Sequence, residues 1–334
     1  MEYRIERIDR GIKARCEDIY ALLSLKEIAY LVFPRFFPVF AILIIPLLRS
    51  VIGEYWEKVF FLTCNLAILS ISLELLLSIG LISLGQALFF GAGAYFSAIF
   101  NNYMHLPVAL SIIAASVCGG IFCSILIFPA SRLRGIYFTI ITLCLPLFLF
   151  RIIEVTKILG GTQGISLSPI GNYYLEMYIP SVFMLTFLFG IRRLMGTDCG
   201  IIIRAIKDNE FSVMASGINV YAYKFAVILI SATIGSFSGA YTAHFYQFVG
   251  MSVFSLDYSI IPLTCVLLGG SSTFGGSVLG AFLIVPVSEA LRIFGTLRIV
   301  IYSAFLILVL LLLPEGIFHY IQRKYHKIER WKRI

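Results

Sequence analysis

The chain has 334 residues, of which 60% are hydrophobic and 13% charged, with a mean hydropathy of +0.95. This balance excludes an ordinary water-soluble globular domain and marks a polytopic membrane protein. The net charge of +8 reads as basic flanks beside anionic headgroups, so membrane lipid, and no nucleic acid, is the expected partner of that charge.

A spanning helix needs about 20 apolar residues to cross a hydrocarbon core of about 30 Å, and only helices or closed barrels satisfy every backbone group there. The apolar runs are too long for barrel strands, so the expected class is an all-α integral membrane protein. Residues 1–35 form an N-terminal arm too long and too acidic (Glu2, Glu6, Asp9, Glu17, Asp18) for a signal peptide. No small-residue cleavage site follows the first apolar run, which is therefore expected to remain as a span. Spans are predicted near 36–52, 57–79, 84–103, 107–129, 135–155 and 179–195. A polar interruption from Gly196 to Lys224 follows, and then spans near 224–248, 258–270, 274–294 and 297–315, giving about ten in all within a membrane domain of residues 36–315. Residues 316–334 are a basic tail.

Lys and Arg in short loops resist translocation, so they set orientation. The arm carries Arg4, Arg7, Arg10, Lys13, Arg15, Lys26 and Arg35, the tail carries Arg323, Lys324, Lys327, Arg330, Lys332 and Arg333, and the loop after the fourth span carries Arg132 and Arg134. All three are expected in the cytoplasm. Six spans from an inside N-terminus return the chain to the cytosol at Gly196, and four more return it there at the tail. The polar loop, 196–223, is thus expected to meet a cytosolic partner.

That loop reads locally as a short helix over Asp208–Ser216. Asp208 or Asn209 can cap it, Glu210 suits the positive end of its dipole, and Gly217 suits a left-handed stop. Phe211, Val213, Met214 and Ala215 make much of its surface apolar, yet it is too short to span or to stand alone. Docking into a groove on a partner accounts for it, as does lying on the membrane interface.

Chemistry is scarce. The seven cysteines, Cys16, Cys64, Cys118, Cys123, Cys144, Cys199 and Cys265, are scattered without metal spacing, most of them inside predicted spans. No GxxxxGK[ST], HExxH or GxSxG occurs, and His105, His244, His319 and His326 have no metal-like neighbours in sequence. No enzyme activity, metal or cofactor is expected in this chain. The glycines at 91, 93, 235, 239, 276 and 280 suit close approach of helices, and Gly235, Gly239, Gly276 and Gly280 are expected to let helices slide. Among carboxylates, an ionised group at the bilayer centre costs about 2.5–3.5 kcal/mol even on insertion scales. Glu74, in SISLELLLSIG, is therefore either a proton or substrate site or a buried hydrogen-bonded carboxyl. Glu289 and Asp257 read as solvated or capping groups, and Arg151 with Glu154 as a local pair at i, i+3 spacing.

Six stretches, in order and spacing, carry a family likeness: SLGQALFFGAGAY (Ser83–Tyr95), LRGIYFTIITL (Leu133–Leu143), GGTQGI (Gly160–Ile165), RAIKDNEFSVMASGINV (Arg204–Val220), SGAYTAHF (Ser238–Phe245) and LGGSSTFGGSVLGA (Leu268–Ala281). The chain resembles the permease subunits of branched-chain amino acid ABC importers, specifically the second, M-type, of the two paired permeases. The resemblance implies the vitamin-importer-like (type II) architecture, with spans two to five and seven to ten as inverted repeats. It also implies a second homologous permease, two cytosolic ABC ATPases, and a periplasmic or lipid-anchored substrate-binding protein. The segment holding Arg204, Lys207, Asp208, Asn209, Glu210, Phe211, Met214, Ala215 and Gly217 becomes the ATPase-coupling loop. Solute would enter near Gly160–Gly164 and the 249–257 loop, past Thr162 and Gln163, with Glu74, Gln86, Phe89, Tyr95 and Thr142 as candidates for lining or gating the path. The sequence departs from the family pattern at Glu74 (usually Asn), Leu159 (Thr), Ser272 (Gly) and Ser277 (Pro). Urea or short amides are alternative solutes, and proton-coupled secondary transport through Glu74 is an alternative mechanism.

Overall fold

The computed structural model describes residues 53–295 other than 134, 172 and 272, together with residues 42, 44, 46, 297, 304, 307 and 316–318. Residues 1–47 group apart from residues 48–334, and the fold below is that of the second unit. The predicted spans at 36–52 and 297–315 lie outside the continuous described segment.

In that segment the helices are α1 (Glu54–Ser78), α2 (Gln86–Asn102), α3 (Val108–Ile127), α4 (Ile136–Thr156), α5 (Tyr173–Met195), α6 (Asp198–Asp208), α7 (Glu210–Ala215), α8 (Val220–Tyr246), α9 (Asp257–Gly269) and α10 (Phe274–Ala290). Six helical stretches among the described residues are long and apolar enough to cross a membrane: α1, α3 with the 3₁₀ turn after it, α4, α5, α8, and α10 with its 3₁₀ extension. The predicted spans at 84–103 and 258–270 coincide with the shorter helices α2 (17 residues) and α9 (13 residues). Lipid offers the backbone no hydrogen bonds, so these apolar runs close their own as helices. Some predicted boundaries shift by several residues: α5 begins at Tyr173, ahead of 179, and α8 begins at Val220, ahead of 224.

Helix α1 is buried on all sides, in contact with α5, α8, α9 and α10, while α8 packs chiefly on α2 and α3. Glycines allow the second contact. A Cβ at Gly93 would overlap the Ser236 carbonyl, and one at Gly239 would overlap the Phe90 carbonyl. At α9–α10, a Cβ at Gly280 would overlap the Cys265 carbonyl. Backbones this close gain dispersion contacts that lipid tails do not supply. Gly239 and Gly280 thus stand where the helix backbones approach most closely.

Hydrogen bonds fasten the same interior. Asn65 Nδ2 donates to Thr242 Oγ1, and Ser238 Oγ donates to Asn65 Oδ1 at 2.8 Å. Ser72 and Ser231 exchange hydroxyl-to-carbonyl bonds, each of 2.8 Å, across α1 and α8. Helix α1 ends in a glycine-dependent stop: Gly80 has φ +86°, its N–H bonds the Leu77 carbonyl at 3.1 Å, and the Leu81 N–H reaches back to Leu76 at 3.0 Å. This double closure satisfies the last carbonyls of the helix.

At the far end from that stop, a two-residue antiparallel pair joins β1 (Ile165–Ser166) to β2 (Phe248–Val249), with Ile165 opposite Val249. His244, buried at the end of α8, donates from Nδ1 to the Ser168 carbonyl at 2.8 Å and lies 2.9 Å through Nε2 from Ser97 Oγ. Thus α2, α8 and the segment after β1 are tied at one point.

Candidate functional site: the polar loop and the buried polar side chains

The loop after α5 holds two helices rather than one. Helix α6 is amphipathic. Gly200, Ile203 and Ile206 face inward at three-residue spacing, with Ile203 and Ile206 each 3% exposed. Gly200 is required by proximity, since a Cβ there would overlap the backbone of Met195. Arg204 donates from Nη2 to the Met195 carbonyl at 2.9 Å, binding α6 back onto the end of α5.

Asn209 separates the two helices. Its backbone is extended (φ −155°, ψ 98°), and its side-chain oxygen accepts from Phe211 N–H at 3.1 Å and Ser212 N–H at 3.2 Å. This is the N-cap arrangement that satisfies otherwise orphaned amides. Of the two capping candidates it is Asn209 that caps, while Asp208 closes α6. Glu210 occupies the first turn of α7, and Gly217, with φ +83°, donates to the Met214 carbonyl at 3.0 Å beyond its end. The short helix expected over Asp208–Ser216 is therefore Glu210–Ala215. Its faces differ sharply: Val213 is 7% exposed and Phe211 is 65% exposed. Lys207, Asp208, Ser212 and Ala215 are also exposed, and Met214 is half-buried.

Beneath α7 lies an ion pair that sequence spacing does not reveal. Lys224, in the second turn of α8 and 4% exposed, donates from Nζ to Glu210 Oε1 at 2.8 Å and to the Ser131 carbonyl at 3.3 Å. Ser131 belongs to the 3₁₀ turn Phe128–Arg132 between α3 and α4. A half-open cleft of about 280 Å³ adjoins the pair. Its walls are apolar (Ile79, Leu81, Leu133, Phe138) and its rim is polar (Lys207, Asp208, Asn209).

The candidates for lining a path are dispersed. Glu74 is 1% exposed and accepts from Ser277 Oγ at 3.4 Å. Gln86 is fully buried where α1, α2 and α8 meet. Its Oε1 lies 3.1 Å from Ser72 Oγ, and its Nε2 has no hydrogen-bond partner among the described residues. Phe89 is buried against Gly235. Tyr95 stacks on Phe254 with centroids 5.6 Å apart in an apolar cluster, and its hydroxyl too is unpartnered among the described residues. Thr142 accepts from the Leu84 N–H at 3.1 Å, binding α4 to the segment before α2. Thr162 and Gln163, by contrast, are exposed beside the β1–β2 pair, which brings together the two loops assigned to the mouth. Glu57, 3% exposed at the start of α1, is a buried carboxylate that the sequence reading passed over. Its position among the leading polar residues of the run, Glu54–Lys58, disguised it.

No group of three or more His, Cys, Asp or Glu suited to a metal ion occurs among the described residues. Cys64, Cys123 and Cys265 are buried, while Cys144 and Cys199 are exposed. Glu289 accepts from Arg292 at 2.7 Å and from Tyr55 at 3.3 Å, so this carboxylate is held in a local cluster.

Residues 55–314 match the family described as "Branched-chain amino acid transport system / permease component". Among curated proteins, the chain is 26% identical over 289 residues to the high-affinity branched-chain amino acid transport system permease protein LivM of Escherichia coli, covering 77% of this chain and 68% of that one. It is 26% identical over 270 residues to the LivM protein of Salmonella typhimurium, covering 71% and 64%. It is 29% identical over 230 residues to a probable branched-chain amino acid transport permease protein LivM of Methanocaldococcus jannaschii, covering 62% and 67%. The chain thus spans about two thirds of the length of these relatives. No solved structure matches it. With six helical stretches able to cross a membrane and a family match over most of its length, this multi-pass membrane protein belongs to the permease-component family of branched-chain amino acid ABC transport systems.

Proposed function

We propose that the chain is one membrane subunit of an ATP-driven importer of branched-chain, hydrophobic amino acids, working by alternating access with no covalent chemistry of its own. In this reading it pairs with a second homologous permease, receives solute from an extracytoplasmic binding protein, and rests on two cytosolic ATPases. It resides in the cytoplasmic membrane of a bacterium or archaeon, with both termini in the cytosol and about ten spans of the type II arrangement. The names of its relatives support the solute class, and the basic arm and tail support the orientation.

The observation that carries the reading is α7. It is a capped helix of six residues, anchored inward by Val213 and presenting Phe211 outward at 65% exposure. A helix so short has no stability of its own, and an exposed aromatic on an anchored stub suits a groove in a soluble partner. ATP hydrolysis on the partner would then displace α6 and α7 and so rock the membrane helices. The test is reconstitution with the candidate second permease, ATPases and binding protein. Leucine uptake should depend on ATP and the binding protein, be blocked by vanadate, and be lost on deletion of Asp208–Ser216 while ATP hydrolysis continues. Uptake that is unchanged by the deletion overturns the assignment.

A further inference from the structure

We propose that the buried Lys224–Glu210 pair, closed on the Ser131 carbonyl, is the linkage through which displacement of α7 reaches the membrane helices; this rests on the ATPase-docking reading above. Helix α7 offers a short inward face. It has six residues and one buried apolar side chain, Val213. Glu210 is a further inward attachment, its carboxylate meeting Lys224 at 2.8 Å. The side chains of Lys224 and Glu210 are only 5% and 15% exposed. Lys224 sits near the start of α8, and its second bond, to Ser131 at 3.3 Å, reaches the turn between α3 and α4. One ammonium group therefore joins three segments: the docking helix, the 27-residue helix α8, and the turn that leads into α4.

The choice of residues bears on role. A buried ion pair is a poor means of stability, because desolvation offsets much of the attraction and well-packed apolar residues serve as well or better. Its distinctive property is that separating the partners is expensive, since each charge would be left buried alone. An apolar contact at this point could shear as α7 moved. A buried charge pair with a third hydrogen-bonded partner obliges the segments to move together. Tyr221 lies alongside, its ring centroid 6.0 Å from both Lys224 Nζ and Arg132 Cζ, so an aromatic face covers the cationic side of the clasp.

Lys224 acts here as a positioning residue. In the reconstituted importer, vanadate-sensitive ATP hydrolysis and solute uptake are measured in the same proteoliposomes and expressed as solute moved per ATP. Lys224→Met should assemble and hydrolyse ATP, yet move at least about fivefold less solute per ATP, the lower edge of typical coupling between sites. Lys224→Arg, which keeps a cation able to meet both acceptors, should recover most of the ratio. The double variant Glu210→Gln/Lys224→Met leaves no unpaired buried charge, and it carries the test if Lys224→Met fails to assemble. Its ratio should remain low. A wild-type ratio in Lys224→Met, or one restored in the double variant, overturns the proposal and leaves the pair a structural element. If deletion of Asp208–Ser216 still uncouples in that case, the docking reading survives; if the deletion has no effect, that reading fails first.

Discussion

Replacing Phe211 with alanine separates docking from folding. The ring is 65% exposed on a helix whose inward side is fixed by Val213 and Glu210. A phenylalanine buries roughly 150–250 Å² when fully covered, so about 100–160 Å² is open for a partner to cover. At ~25 cal/mol per Å² that area corresponds to about 2.5–4 kcal/mol. Alanine keeps part of the contact and the partner side chains lose freedom on docking, so a net loss of about 2–3 kcal/mol is expected, or roughly 30- to 150-fold in Kd. The assay is titration of purified ATPase onto the permease pair in nanodiscs, with parallel denaturation of the permease alone. The permease should unfold as wild type, to within about 0.5 kcal/mol, because the removed atoms touch mostly solvent. Unchanged ATPase affinity, or equal weakening of docking and of the permease's own stability, would refute the reasoning.

Gly239→Ala places a methyl group on the Phe90 carbonyl, so unfolding in detergent should show a loss of about 1–3 kcal/mol or more, whereas Gly190→Ala, with open space around it, should show none. Glu74→Gln should retain ATP-driven uptake, since an amide oxygen can accept from Ser277 as the carboxylate does; uptake abolished by this change and independent of ATP in the wild type would favour proton coupling.

The apolar runs made most of the membrane helices legible, because in lipid a long apolar segment has helix as its one satisfied state. The Asn209 cap and the Gly217 stop were legible too, being decided by residues within a few positions of each other. Helix α6 was missed. Its charges, Asp198, Arg204, Lys207 and Asp208, read as loop, while the inward stripe of Gly200, Ile203 and Ile206 is short and draws its stability from packing under α5. The Lys224 clasp was hidden for a different reason. Its partners stand 14 and 93 residues away, and a tertiary contact between separate elements leaves no period in the sequence. Burial of Gln86, Tyr95 and Thr142 likewise depends on which helices meet, a matter that span prediction does not address.

The junction of α8 with α2 and α3 has a thermodynamic consequence. It is held by backbone contact at glycines and by the Ser236 hydroxyl donating to the Phe89 carbonyl at 3.2 Å, and lipid tails are as apolar as the side chains they would replace. Parting these helices inside a bilayer would therefore wet little hydrocarbon. The heat-capacity increment that bends the stability curves of soluble proteins into a dome arises from such wetting. For this helix cluster the curve should be nearly straight, with cohesion falling steadily on warming and no cold limb, so a cell in the cold would contend with a stiffer transporter rather than a loosened one.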